Sequence, residues 1–283
     1  MPGNFDSIKS ALFTGMSQTL PRMRLAKTSL FVVALCATLA LCGCCKPDKT
    51  YCLVTYNIRN GVGMDGSNNL QRISEVLNRC GADVVALQEI DSMTVRSGGK
   101  DVLGELASLT GMIPLYAPAI DFDGGKYGVG ILCRKPPLSI FRAPLPGPEE
   151  RRTIIAAEFD DYVFACTHLS LTEEGRMQSL PAIADAAKRI QGKLFFLAGD
   201  FNASPGESFV RELSKSFGIL SDTTRCTFPA DNPVITIDYI ALFKETDNSS
   251  LKVRQESFLE ETSNDLISVS SDHRPIVLTI KNK

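Results

Sequence analysis

The chain has 283 residues, 44% hydrophobic and 22% charged, with 30 basic and 32 acidic residues giving a formal charge of −2. That length and apolar content fit one domain with a sizeable core. The charge balance excludes the broad basic face that holds a protein on duplex nucleic acid, while leaving local phosphate contacts open.

The amino-terminal stretch reads as an export leader. Met23–Lys27 is a short basic segment, and the apolar run Leu30–Leu41 behind it is too short to span a bilayer. Met1–Pro21 has no signal character of its own, so translation is expected to start at Met23. The run closes on Leu41-Cys42-Gly43-Cys44, which resembles a bacterial lipobox with Cys44 as the lipid-bearing residue. The expected organisation is a leader over 1–43, a tether over 44–50 and one domain over 51–283. Such a chain would be exported and lipid-anchored to a bacterial membrane, as a monomer. An ordinary cleaved signal or a short anchor is the alternative. Cleavage before Cys44 removes four basic residues and one acidic residue, taking the formal charge from −2 to −5. Export permits disulfides, but no cysteine spacing specifies one.

Within the domain, apolar runs predict strands over 51–57, 83–88, 129–133, 138–142, 152–159, 162–168, 193–198, 234–242, 251–257 and 275–281. Helical spacing of Leu70, Ile73, Val76, Leu77 and Cys80 predicts a helix over 69–80, stopped by Gly81. Residues 101–110 and 173–190 also read as helices, and Pro144–Pro148 and Asp231–Pro233 as surface loops. Many strands with a few helices between them indicate a mixed α/β architecture.

The polar residues fall at the ends of these strands. Thr55-Tyr56-Asn57, Gln88-Glu89, Thr167-His168-Leu169 and Gly199-Asp200-Phe201-Asn202 each close an apolar run. Ile237-Asp238-Tyr239 lies inside one, and Ser271-Asp272-His273-Arg274-Pro275 precedes the last. A lone acid after a strand is usually a cap or a turn residue, but six such groups arranged alike are poorly explained as caps. Strand ends on one rim of a sheet converge, so a single site is expected there. Both histidines of the chain belong to this set, and imidazole is the side chain most readily switched near neutral pH. Neither has a cysteine or histidine partner at zinc-finger spacing. Gly61-Val62-Gly63 and Gly124-Gly125 lack the Gly-Lys-Ser/Thr ending of a phosphate-binding loop, and no nucleophile-elbow serine is present.

Taken in order, with Tyr127-Gly128 between the second and third, these strings resemble the endonuclease/exonuclease/phosphatase family, whose fold is named after DNase I. They run through essentially all of 51–283. Val129 and Cys133 depart from the family pattern, at positions where a polar residue and a serine are frequent. The resemblance implies an α/β four-layer sandwich of two packed mixed β-sheets flanked by helices, with the site at one rim between the sheets. It implies a divalent-metal-dependent phosphoester hydrolase using Mg²⁺ or Mn²⁺, with Glu89 as metal ligand and Asn57 and Asp272 beside it. Such hard cations favour carboxylate over imidazole. The resemblance also places Asp200 on the attacking water and Asn202 on a phosphate oxygen. His273 would meet the phosphoryl group, oriented by Asp238, while His168 and Tyr127 contact the phosphate or the leaving group. Arg96, Arg152 and Arg176 fall near the same rim, where contact with substrate and a solvated surface role are equally open.

Three functions compete. One is a phosphodiesterase acting on a small or lipid-linked phosphodiester at the cell envelope. The second is a surface or secreted nuclease, with DNA or RNA as substrate only. The third is a catalytically silent surface binding module that kept the fold.

Overall fold

The computed structural model describes residues 49–245, 249–256 and 265–282. The expected leader, the expected lipidation position Cys44 and most of the expected tether lie outside the described residues. The described strands form two six-stranded mixed sheets. The first contains β1 (Lys49–Asn57), β2 (Val84–Ser92), β3 (Ile113–Phe122), β4 (Gly125–Cys133), β11 (Leu251–Gln255) and β12 (Ile276–Asn282), in the order β11-β12-β1-β2-β4-β3. The second contains β5 (Ser139–Leu145), β6 (Arg152–Glu158), β7 (Tyr162–His168), β8 (Leu194–Asp200), β9 (Phe217–Ile219) and β10 (Asp238–Phe243), in the order β5-β6-β7-β8-β10-β9.

Each sheet has one parallel pair, β1–β2 and β7–β8; its other pairs are antiparallel. A parallel pair needs a crossover, and α1 (Leu70–Cys80) and α3 (Glu173–Lys188) supply the two. Asn69 caps α1 by accepting from the Arg72 N–H, and Gly81 ends it in the left-handed conformation at φ 62°. The first sheet's outer face is covered by α1, α2 (Val102–Thr110) and α5 (Asp265–Ser270); that of the second by α3 and α4 (Ser208–Ser216). This is the four-layer sandwich expected from the motifs.

Burial by residue parity sets the rest. Leu53, Val84, Ala86, Phe164, Cys166, Phe196, Ala198, Ile240 and Leu242 lie in the core between the sheets, while Val54, Val85, Ala165 and Leu197 face the helices. With a side-chain period of two, each inner row runs on into a polar residue at the rim. Leu53 leads to Asn57, Ala86 to Gln88, Cys166 to His168, Ala198 to Asp200 and Ile240 back to Asp238. The parallel strands end at this rim, and β10 and β12 begin at it. Lys49, where the described chain enters β1, is at the opposite end.

Several elements differ from expectation. β3, absent from the expected strands, carries Pro114 and Pro118 and is the edge strand of its sheet, where a missing N–H costs little. Pro144 likewise falls inside β5, an edge strand, instead of opening a loop. β4 starts at Gly125 and β10 only at Asp238. The short α4 and α5 and the three-residue β9 were not legible in the sequence pattern. Cys133 and Cys166 are buried core residues as expected, Cys52 is only partly covered, and all three are free thiols.

Gly199, directly before Asp200, admits no side chain. Its φ is +152°, and a Cβ there would lie 2.0 Å from the Thr167 carbonyl oxygen of the neighbouring strand. Gly199→Ala should therefore destabilise by roughly 2–5 kcal/mol, combining backbone strain with overpacking. Gly66→Ala, also at positive φ but with open space around it, should cost only about 1 kcal/mol. Denaturant unfolding of the two variants checks this, and equal losses would contradict the close approach.

Candidate functional site

Pairing in register builds the site before any side chain bonds. Asp200 pairs with His168 of β7 on one side and with Asp238 of β10 on the other. His168, Asp200 and Asp238 thus form one row across three strands of the second sheet. In the first sheet Asn57 pairs with Gln88. Glu89 would be carried outward by strict alternation, but the register of β2 against β4 shifts between Leu87 and Ile90, and Glu89 takes φ +60°. This bulge sends Ile90 into the helix-facing core and turns the Glu89 carboxylate to the rim. A left-handed conformation at a residue other than glycine costs about 1–3 kcal/mol, and here it goes into aiming one acid.

Asn57 joins the sheets. Its Nδ2 donates to Glu89 Oε1 at 3.1 Å and to Asp200 Oδ2 at 3.1 Å, while its Oδ1 accepts from the Arg59 N–H at 3.1 Å, which fixes the amide's orientation. In this arrangement Asn57 offers the two acids its nitrogen and turns its oxygen away. Ser271 holds the last segment by donating to the Asn57 carbonyl at 2.7 Å. His273 enters beside it, its Nδ1 3.0 Å from Asp238 Oδ2 and its ring 4.9 Å from Phe228. Its Nε2 lies 3.4 Å from Asn57 Nδ2 and 3.7 Å from Asp200 Oδ2. His168 Nε2 is 3.6 Å from the same Asp200 oxygen, too long for a hydrogen bond. Asn202, at φ +50°, donates its backbone N–H to Asp200 Oδ1 at 2.8 Å and its side-chain amide to the Leu169 carbonyl at 2.9 Å, tying the turns after β8 and β7 together.

Asp272 lies at the edge of this group, 3.5 Å from Arg59 Nε. Tyr127 sits in β4 close enough to Glu89 for the two charges to be felt, and burial, reinforced by Glu89 and Glu150, keeps its phenol protonated. The three arginines of uncertain role are committed within the protein. Arg96 makes a two-point bond to buried Asp91 at 2.7 Å and stacks on Phe122, Arg152 pairs with Glu149 and Glu150, and Arg176 bonds Glu207 and two loop carbonyls.

Two clusters here have ligand atoms for a cation. Asp200, Asp238 and His273 are the tighter set, with ligand atoms within 4.8 Å of one another. Their donors are already turned on each other through the Asp238–His273 bond. Glu89 and Asp272 offer only oxygen, which a hard cation prefers. Burial raises the Glu89 pKa, and the Asp272 and Asp200 charges raise it further against the lowering effect of Asn57 and His273. A bound cation relieves that crowding, so the residues present fit one. The fully buried Asp238 Oδ1, without a hydrogen-bond partner among the described residues, shows that the neighbouring set also has an oxygen to spare.

The two histidines titrate oppositely. Burial depresses His168 to about 4, with Asp200 only partly offsetting it. Burial also pushes His273 down, but Asp238, through charge and hydrogen bond, and then Asp200 and Asp272 overcome this and raise it to about 10. At neutral pH His168 is neutral and His273 charged. His168 is protonated in the unfolded chain below about pH 6.5 but in the folded one only below about 4, so stability is lost as pH falls across that window. His273 has the opposite sign: its contribution is full below about 6.5 and is lost as pH rises towards 10. Burial also raises Asp200, whose slope opposes that of His168 in the acid window, while the His168 charge works against that rise. The stability of His168→Gln relative to wild type should therefore rise steadily as pH is lowered from 6.5 to 4 in denaturant melts. Parallel curves would mean that His168 is not held neutral.

Comparison with known proteins bears on the family and the fold. The model of the Endonuclease/Exonuclease/phosphatase family matches residues 54–273, a span containing every site residue from Asn57 to His273. The fold is similar to that of an endonuclease/exonuclease/phosphatase from Bacteroides vulgatus (TM-score 0.65, 17% identity, 83% of this chain and 100% of that one). It is similar also to a mannosyl-6-phosphatase from Bacteroides thetaiotaomicron (TM-score 0.60, 15% identity, 81% and 99%). A third similar structure is the human Nocturnin catalytic domain with bound sulfate (TM-score 0.62, 16% identity, 83% and 94%). No curated protein matches the chain in sequence. These structures share the fold at low identity, and the match over 54–273 carries the assignment: the chain belongs to the endonuclease/exonuclease/phosphatase family of phosphoester hydrolases.

Proposed function

We propose that the protein is a divalent-metal-dependent phosphodiesterase acting on a small or lipid-linked phosphodiester at the cell envelope. The observation that carries this is the Asn57 amide bridging Glu89 and Asp200, which joins an oxygen-ligand pair in one sheet to an acid–histidine row in the other. Mg²⁺ or Mn²⁺ would be held by Glu89 and Asp272. When bound, the cation neutralises charge on the phosphoryl oxygens. The remaining work falls on the chain. His273, charged to about pH 10 and fixed through Nδ1 by Asp238, turns Nε2–H towards a phosphoryl oxygen. Asp200, held by the Asn202 N–H and the Asn57 amide, orients the attacking water and accepts its proton. Neutral His168 and the protonated Tyr127 phenol contact the phosphate or the leaving oxygen.

The paired arginines favour a small substrate over a nucleic acid. A polyanion is gripped by free cations along a groove, and Arg96, Arg152 and Arg176 are each neutralised by acids of the protein. The envelope location rests on the leader's basic segment, apolar run and Cys44.

Glu89→Gln should lower turnover about 10²–10³-fold while leaving thermal unfolding intact, and chelator should abolish wild-type activity until Mg²⁺ or Mn²⁺ is restored. A panel of bis-nitrophenyl phosphate, phospholipid, a sugar 6-phosphate, RNA and plasmid DNA provides the measurement. Full activity in chelator, or preference for DNA or RNA, would overturn the reading. His273→Ala should cost about 10²–10³-fold or more, Asp238→Asn less, and the double variant little more than His273→Ala alone, because the pair acts as one unit. Additive losses would dissolve the dyad.

A further inference from the structure

Four of the most exposed apolar side chains of the described residues sit on three loops that leave or enter the site strands. Met93 (59% exposed) and Val95 (74%) follow Glu89, Leu171 (65%) follows His168, and Val234 (63%) precedes Asp238. Their backbones are held in place: the Met93 N–H donates to Lys100, Val95 to Asp123, Leu171 to the Glu149 carboxylate and Val234 to Phe228, whose ring touches His273. The far end of the sheets offers one comparable side chain, Leu138 (62%). Single exposed apolar residues are ordinary, but fixed ones on three sides of a polar site are arranged.

The occupant follows from the position. A protein partner, or a second copy, seated on this ring would close the site it surrounds, whereas an amphiphile places its polar phosphate in the centre and its apolar part against the ring. Three loop cations are neutralised by acids of the chain, Arg96 by Asp91, Lys126 by Asp121 and Arg176 by Glu207, which lowers the free positive charge offered to an anionic surface. We infer that the rim loops dock the protein on a lipid or detergent surface through Met93, Val95, Leu171 and Val234, and that the enzyme takes amphipathic phosphoesters from that surface. This rests on the phosphoesterase reading of the site and adds its substrate class.

The test uses the expected mature chain from residue 44 onward carrying Cys44→Ser, so that neither an acyl group nor the apolar leader contributes, with and without Met93→Ser, Val95→Ser, Leu171→Ser and Val234→Ser together. Co-sedimentation with phosphatidylcholine vesicles should fall about tenfold or more in the fourfold variant, with little dependence on salt or on added phosphatidylglycerol. Hydrolysis of a vesicle-borne phosphoester should fall in parallel, while hydrolysis of soluble bis-nitrophenyl phosphate should not change. Equal vesicle binding by the two proteins, or none by either, would overturn the docking surface. Loss of binding in a protein inactive on every phosphoester would uphold the surface and overturn the function on which the substrate class rests.

Discussion

Every strand that carries a site residue is packed on both faces, between the opposite sheet and a layer of helices, so the direction of each alternate side chain is fixed before any polar group contributes. Leu53, Phe164, Phe196 and Ile240 cannot leave the inter-sheet core without exposing the helix-facing row, and the residues two or four further along must then meet at the rim. The catalytic geometry proposed here is therefore a by-product of core packing across five strands. A slip of one residue in β8 would turn Asp200 towards the helices and break the row it forms with His168 and Asp238. Gly199 reinforces this register, since it lets the end of β8 lie against the Thr167 carbonyl.

Electrostatics then divides residues of the same type into different states. His168 and His273 lie on either side of one Asp200 oxygen, yet only His273 has a second acid bonded to its far nitrogen. Burial sets the direction for both, and Asp238 reverses it for one. Glu89 is strained by its backbone, desolvated, and close to Asp272 and Asp200, so it is the group whose environment a cation would change most. Glu89 thus combines an uncomfortable backbone with an uncomfortable charge at the place assigned the chemistry, as expected where positioning is maintained against local stability.

Much of this was legible in the sequence, for a physical reason. Apolar runs mark buried strands, and an acid, amide or histidine at the end of such a run marks a rim, so Asn57, His168 and Asp200 could be placed without coordinates. Glu89 could be named but not aimed, because the bulge that turns it leaves no compositional mark. The pairing of Asp238 with His273 spans 35 residues, and only its family pattern suggested it. Strand β3 was missed because proline argues against a strand unless the strand is known to lie at an edge, which depends on the whole sheet order. The partners of Arg96, Arg152 and Arg176 were equally hidden, since an arginine near a site reads the same whether it faces a substrate or an acid of its own chain.

The chain enters β1 at Lys49, at the end of the sheets remote from the site. Lys49 and Asn57 are the two ends of a nine-residue strand, about 27 Å apart at the usual rise. The five steps from Cys44 to Lys49 reach at most about 17 Å when extended. Were a lipid attached at Cys44, the mouth of the enzyme would point away from the leaflet that holds it. An upright domain would then serve amphiphiles arriving from the aqueous side or presented by a facing membrane, and would leave its own bilayer untouched. To reach its own bilayer the domain would have to lie along the surface, exchanging the end-on contact of the apolar loops for a flank of the sandwich. With an anchor at Cys44, anchorage and access would be opposed by the direction of a single strand, and release from it would change which membranes the enzyme could serve without altering its site.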